Sequence, residues 1–144
     1  MGTEPTARPT DQRPFPAVVD PDYNDHMEAL ATGRVVVTRC RGCGQVEWPP
    51  RPTCRGCRGH DFAPHEVEGV GVVHTFSVVH RAFHPWFSDK TPYGVAIVEV
   101  ADGVRLTGLY AGSVETLRCG LAVRGRGEMV GGAPALLWSP EEHE

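Results

Sequence analysis

Cys40, Cys43, Cys54 and Cys57 are the residues of this chain best spaced to do chemistry, as two Cys-x-x-Cys pairs with ten residues between them. Two thiolates three positions apart can turn toward one cation on a tight knuckle, and Gly42, Gly44, Gly56 and Gly59 let the backbone fold around sulfur. Four thiolates fill a tetrahedral ion, so zinc held there has no open position for water or substrate and holds structure instead of reacting. Iron is the rival occupant, since sulfur donors in this geometry suit both metals. Paired cysteines can also form disulfides, but the first twenty residues are polar and proline-rich instead of signal-like, and Cys119 leaves an odd number. Cys119 itself reads as a small buried apolar residue rather than a ligand or nucleophile.

The elements that must position these cysteines follow from composition and pattern. With 144 residues, 40% of them hydrophobic, the chain is one ordinary domain or two very small ones. No apolar run approaches the roughly 18 residues of a membrane span, so the sequence reads as cytoplasmic, with no membrane partner. Residues 1–19 carry Pro5, Pro9, Pro14 and Pro16 and read as a flexible arm. Residues 20–34 read as an N-terminal helix: Asp20 offers an N-cap, Pro21 the first helical position, Asp22 a charge suited to the dipole, and Gly33 the stop. Its Tyr23, Met27 and Leu30 form a stripe that must be covered, either by the chain's own ribbon or by a partner subunit.

Residues 35–66 form the zinc ribbon. Val35-Val36-Val37 leads as a strand into the first knuckle, and Trp48-Pro49-Pro50-Arg51-Pro52 stiffens the loop before the second. Residues 67–140 alternate: Val70, Val72, His74, Phe76 and Val78 point one way, and Val73, Thr75, Ser77 and Val79 the other. Strands over 93–100 and 104–110, joined by Ala101-Asp102-Gly103, and over 121–130 and 134–138 complete a set of five. The fold class is therefore mainly β with one N-terminal helix, a zinc ribbon followed by a C-terminal five-stranded barrel, of which the OB-fold is the common case.

This order of parts resembles the acyl-CoA-associated family known as domain of unknown function thirty-five. The carriers are Arg39-Cys40-Arg41-Gly42-Cys43-Gly44, Trp48-Pro49-Pro50-Arg51, Cys54-Arg55-Gly56-Cys57, Glu68-Gly69-Val70-Gly71, His80 to Pro85, Thr91-Pro92-Tyr93 and Asp102 to Leu106. The resemblance spans roughly residues 20–140, and its first knuckle is similar to that of rubredoxin. It implies a rubredoxin-like ribbon, an OB-fold and a non-catalytic subunit. Its partner would be a thiolase-superfamily enzyme: a lipid-transfer-protein-like thiolase or a retro-aldolase of steroid side-chain breakdown. The implied assembly is a heterotetramer with acyl-CoA at or near the interface. Other family members imply the alternative, a MaoC-like enoyl-CoA hydratase partner.

The residues agree mainly by what they lack. A thiolase needs an activated cysteine with histidine partners, and a hydratase needs a facing acid and base; neither constellation is recognisable, so no catalytic residue is assigned and a thioesterase-like activity is disfavoured. Phe83, Trp86, Phe87 and Tyr93, in a loop stiffened by Pro85 and Pro92, either cap the barrel or meet a partner or acyl-pantetheine group. His80 and His84 lie on a strand-to-loop segment, where a spacing of four does not aim both at one metal. Arg81 and Arg105 could clasp CoA phosphates or simply be solvated. Arg34, Arg39, Arg41, Arg51, Arg55 and Arg58 crowd the ribbon, which raises a single-stranded nucleic-acid binder as a further reading. A formal charge of -4 and a single lysine, Lys90, argue against it.

Overall fold

The structure is a computed structural model and describes residues 21–101 and 103–141. The arm over 1–19, the Asp20 cap and the Asp102 side of the hairpin lie outside the described residues.

Pro21–Tyr23 form a single 3-10 turn that continues into α1, Asn24–Ala31. The helix ends at Gly33, whose φ of 87° lets Arg34 N–H donate to Ala29 O at 2.8 Å and Gly33 N–H to Leu30 O at 3.1 Å. These two bonds satisfy carbonyls that the helix end would otherwise orphan, and glycine adopts the left-handed conformation without a Cβ clash.

The chain then builds a three-stranded antiparallel sheet, β2-β1-β3, from β1 (Val35–Cys40), β2 (Val46–Glu47) and β3 (Phe62–Val67). A second sheet closes into a barrel of β4 (Val70–Val79), β5 (Tyr93–Val100), β6 (Arg105–Tyr110), β7 (Ala122–Val130) and β8 (Ala133–Pro140), in the order β4-β5-β6-β8-β7. Every pairing is antiparallel except β6 with β8, so the last strand crosses over to close the barrel as in an OB-fold. Closure leaves no edge strand in this sheet to recruit another chain.

Strand β5 buries Gly94, Ala96, Val98 and Val100 while the residues between them are less covered, the two-residue period of a sheet with one face in a core. Strand β4 does not keep one phase. Its register with β5 shifts between Val73 and Thr75, a bulge at His74, so that Val73 is buried while Phe76 also packs against the core. The uninterrupted alternation expected from the sequence is thereby corrected: an extra residue in one strand flips the faces beyond it.

Helix α1 packs on β1, β7 and β8 and so lies against both sheets. Leu30 is 3% exposed and shares one apolar cluster with Val35, Val37, Val98, Val123 and Trp138. All three valines that open β1 are buried, because the strand is covered on both faces. Gly127 lies against the Leu30 main chain, where an added Cβ would collide with it, and Gly127 N–H donates to Gly33 O at 3.4 Å. The barrel core centres on Trp138, fully buried between Gly108 and Gly125; a Cβ at Gly108 would lie 2.7 Å from Trp138 Nε1, and one at Gly125 2.5 Å from Cζ3. Among the described residues no helix is long and apolar enough to cross a membrane.

Candidate metal centre and contact surface

Strand β1 delivers Cys40 to the first knuckle, which Gly44 N–H closes on Cys40 O at 2.9 Å. The second knuckle repeats the bond, Arg58 N–H to Cys54 O at 3.0 Å, with Arg58 at φ 64° where the first knuckle has Gly44 at 79°. The four Sγ atoms lie within 4.8 Å of one another, with Cys40 to Cys57 at 3.5 Å and Cys43 to Cys54 at 3.6 Å. A tetrahedral zinc with bonds of about 2.3 Å sets sulfurs ~3.8 Å apart, so the donor set fits such an ion. Gly56 N–H donates to Cys54 Sγ at 3.3 Å and Gly59 N–H to Cys57 Sγ at 3.4 Å, which stabilises thiolate charge and fixes the ligands. Cys40 and Cys54 are buried, and Cys43 and Cys57 face outward.

As thiols, Cys40 and Cys43 would ionise unequally. The backbone N–H of Cys43 leads the effects that hold Cys40 at about 7. At Cys43 the Gln45 N–H pulls downward, but the neighbouring thiols and burial outweigh it and push the value to about 11. A bound divalent cation overrides this disparity by taking all four as thiolates and releasing their protons. With four protein ligands the metal is structural. His80 and His84 are outside the cluster; His84 Nδ1 instead accepts from Trp86 N–H at 3.1 Å and caps the short turn Pro85–Phe87.

Glu47 is a site residue that the sequence reading missed. It is 6% exposed, and its Oε1 accepts from Arg55 N–H and Gln45 Nε2, both at 3.1 Å, tying β2 to the second knuckle. Oε2 has no partner among the described residues. The available signal was a carboxylate in a strand, directly before Trp48-Pro49. Trp48 stacks on His26 at 4.2 Å and takes the Tyr23 ring edge-on at 5.4 Å, while His26 Nδ1 meets Val36 O at 2.6 Å. Desolvation lowers the His26 pKa against the opposing pull of that carbonyl.

The residues expected to make contacts separate into two groups. Leu30 is covered by the chain's own barrel, Met27 is partly buried against the same core, and Tyr23 is engaged by Trp48. Along the loop, Phe87 is buried and stacks on Tyr93 at 4.4 Å, and Trp86 meets Phe87 edge-on at 4.9 Å. Lys90 Nζ lies 4.0 Å above the Trp86 ring and donates to Trp86 O at 2.9 Å. Trp86, Phe87 and Tyr93 therefore cap one end of the barrel and line a groove of about 340 Å³ with Leu109, Met129 and Leu137. Phe83 stands 86% exposed on the same loop, and Met129, which the sequence reading did not single out, is 56% exposed. Arg81 is exposed, and Arg105 pairs loosely with Glu99 at 3.9 Å. Cys119, expected to be buried, is exposed, because it sits in the tight turn before β7 and not in a strand.

Comparison with known proteins accords with this architecture. Residues 27–63 match the ChsH2 rubredoxin-like zinc ribbon domain, and residues 64–128 match the ChsH2 C-terminal OB-fold domain. A solved chain of the Ltp2-ChsH2(DUF35) aldolase is 30% identical and superposes with a TM-score of 0.78 over 88% of this chain and 98% of that one. The probable enoyl-CoA hydratase alpha subunit of Thermomonospora curvata is 36% identical over 117 residues, which are 81% of this chain and 36% of that protein. The benzoylsuccinyl-CoA thiolase subunit BbsA of Thauera aromatica is 28% identical over 100 residues, 67% of each chain. This chain thus spans only about a third of the hydratase subunit's length. A four-cysteine ribbon and a closed five-stranded barrel with a helix packed on both, matched along its length by these relatives, places the chain in the ChsH2 family of zinc-ribbon OB-fold (DUF35) proteins.

Proposed function

We propose that the chain is a non-catalytic subunit that docks on a thiolase-superfamily enzyme of the thiolase or retro-aldolase type, helps form its acyl-CoA entrance, and carries zinc in its ribbon. The observation that carries this reading is the superposition along 98% of a chain of the Ltp2-ChsH2(DUF35) aldolase. The site chemistry agrees, because the metal is saturated by Cys40, Cys43, Cys54 and Cys57. The docking surface is the exposed Phe83 and the aromatic groove beside it, with Arg81 on the same loop. A catalytic dimer recruiting one copy per protomer gives a heterotetramer.

A second reading, in which the partner is an enoyl-CoA hydratase, is favoured by the Thermomonospora curvata relative. Co-purification from native extract, with mass spectrometry and metal analysis of the retained material, decides between them. Recovery of a thiolase-like protein with about one zinc per chain supports the first reading, and a hydratase supports the second. Acyl-CoA turnover by the chain alone would overturn both.

A further inference from the structure

The four sulfurs of the ribbon are not equally sheltered, although a purely structural metal asks nothing of that difference. Each knuckle turns one sulfur outward and keeps the other inside: Cys43 and Cys57 are exposed, while Cys40 and Cys54 are each 1% exposed. The outward sulfur of one knuckle meets the inward sulfur of the other, Cys57 with Cys40 at 3.5 Å and Cys43 with Cys54 at 3.6 Å. Every reachable sulfur of the site thus has a second one in contact, across the two knuckles.

Sulfur reacts with an oxidant when it is held as thiolate, can be reached from solvent and stands near cations, and the product is reversible when a resolving cysteine is at hand. Four thiolates carry more negative charge than a divalent ion cancels, so they stay electron-rich with the metal in place. Arg41, Arg55 and Arg58 follow Cys40, Cys54 and Cys57 directly in the chain, and all three are exposed. Cys119 is exposed as well, but it lies outside the four-cysteine group and has no such neighbour there.

We propose that the ribbon is a site of reversible oxidation by a hydroperoxide, in which Cys43 and Cys57 attack, Cys54 and Cys40 resolve, and the metal is exchanged for two disulfides that bridge the knuckles, Cys40 to Cys57 and Cys43 to Cys54. Cys57 Sγ attacks one peroxide oxygen; the S–O bond forms as the O–O bond breaks, and the hydroxide that leaves takes a proton from solvent to become water. Cys40 Sγ then attacks the oxidised sulfur; the S–S bond forms as the S–O bond breaks, and a second hydroxide leaves as water. The two sulfurs lose the two electrons that the peroxide gains, and Cys43 and Cys54 repeat the sequence with a second peroxide. A site stripped of its thiolates releases the cation. Both bridges tie together the two knuckles that the metal ties, so the oxidised ribbon stays cross-linked instead of coming apart. The inference rests on zinc occupying the ribbon and not on the reading of the chain as a subunit.

The test is titration of the full, zinc-loaded chain with hydrogen peroxide beside a chromophoric zinc indicator, with Cys119→Ser removing the one thiol outside the site. About one zinc per chain appears as about two equivalents of peroxide are consumed, and the four ribbon thiols disappear together. Peptide mapping finds Cys40 joined to Cys57 and Cys43 to Cys54, and dithiothreitol followed by zinc restores the thiols and the metal. A brief alkylation pulse before peroxide labels Cys43 and Cys57 ahead of Cys40 and Cys54. Hydrogen exchange over 35–67 is slower in the oxidised chain than in the chelated, reduced one. None of these readouts needs a ribbon variant, so none depends on whether such a variant folds. Zinc retained under excess peroxide overturns the proposal, as do sulfinic or sulfonic acids in place of disulfides, bridges confined to Cys40–Cys43 and Cys54–Cys57, or even labelling of all four sulfurs. Metal analysis before the titration separates the two readings: a chain that holds no zinc overturns this inference together with the zinc assignment, whereas failure of the oxidation alone leaves the subunit and its metal standing.

Discussion

Truncating Leu30 to alanine tests whether α1 is a structural wedge or a detachable docking helix. The side chain is 3% exposed and sits in the cluster that joins Val35 and Val37 of the ribbon sheet to Val123 and Trp138 of the barrel. The change removes three carbons, worth about 2.4 kcal/mol at ~0.8 kcal/mol each, before any cavity term. The cavity term adds to this, because Gly127 already holds the helix main chain at contact distance and the void cannot close by further approach. A loss of about 3–4 kcal/mol follows, near the middle of the 2–5 kcal/mol range for buried leucines. For a chain of this size that is a fall in Tm of about 10–15 °C. Thermal unfolding of the zinc-loaded protein, followed by calorimetry and circular dichroism, measures it. A fall smaller than about 3 °C would refute the wedge and return the helix stripe to the pool of partner surfaces.

Chelation of the metal should open 35–67 to hydrogen exchange, reversed by one equivalent of zinc, because the metal contributes about 10–16 kcal/mol against a total stability of about 5–15 kcal/mol; unchanged protection would contradict a structural role. Phe83→Ser should leave stability within about 0.5 kcal/mol of wild type yet weaken the catalytic-partner complex by tenfold or more, whereas Phe87→Ala should cost about 3 kcal/mol of stability. Equal melting losses for the two variants would show that Phe83 is not a surface group. His26 has its pKa held below the ordinary value of 6.5 by burial. Its contribution to stability is therefore complete above pH ~6.5 and falls as pH drops below it, where the unfolded chain takes up a proton that the folded one resists. A His26→Phe variant should therefore flatten the fall in stability below pH ~6.5. An unchanged slope would assign it to another group.

The metal centre was legible because sulfur spacing carries its own geometry: four cysteines in two knuckles leave little freedom for the backbone between them. Strand β5 was legible for a similar reason, since its two-residue period survives intact from Tyr93 to Val100. What the sequence concealed was anything decided by contact across the fold. The bulge at His74 depends on how β4 registers with β5, which no local pattern on β4 reports. Leu30 could be read as lying on a stripe, but the barrel that buries it arrives almost a hundred residues later, at Gly127. Cys119 is apolar enough for a core, yet a tight turn holds it outside. Glu47 passed unremarked because its burial is decided by the Arg55 N–H, eight residues on in the second knuckle.

Trp138 carries a consequence for how this chain tolerates change. The indole occupies space that Gly108 and Gly125 cede from two neighbouring strands. Replacing either glycine alone forces a clash, and shrinking the tryptophan alone opens a void. Divergence at these sites is therefore channelled: the atoms nearest a Cβ added at 125 all belong to the indole, so a smaller residue at 138 can be matched by a side chain at 125, whereas Leu136 O, 2.6 Å from a Cβ at 108, holds that position to glycine whatever stands at 138.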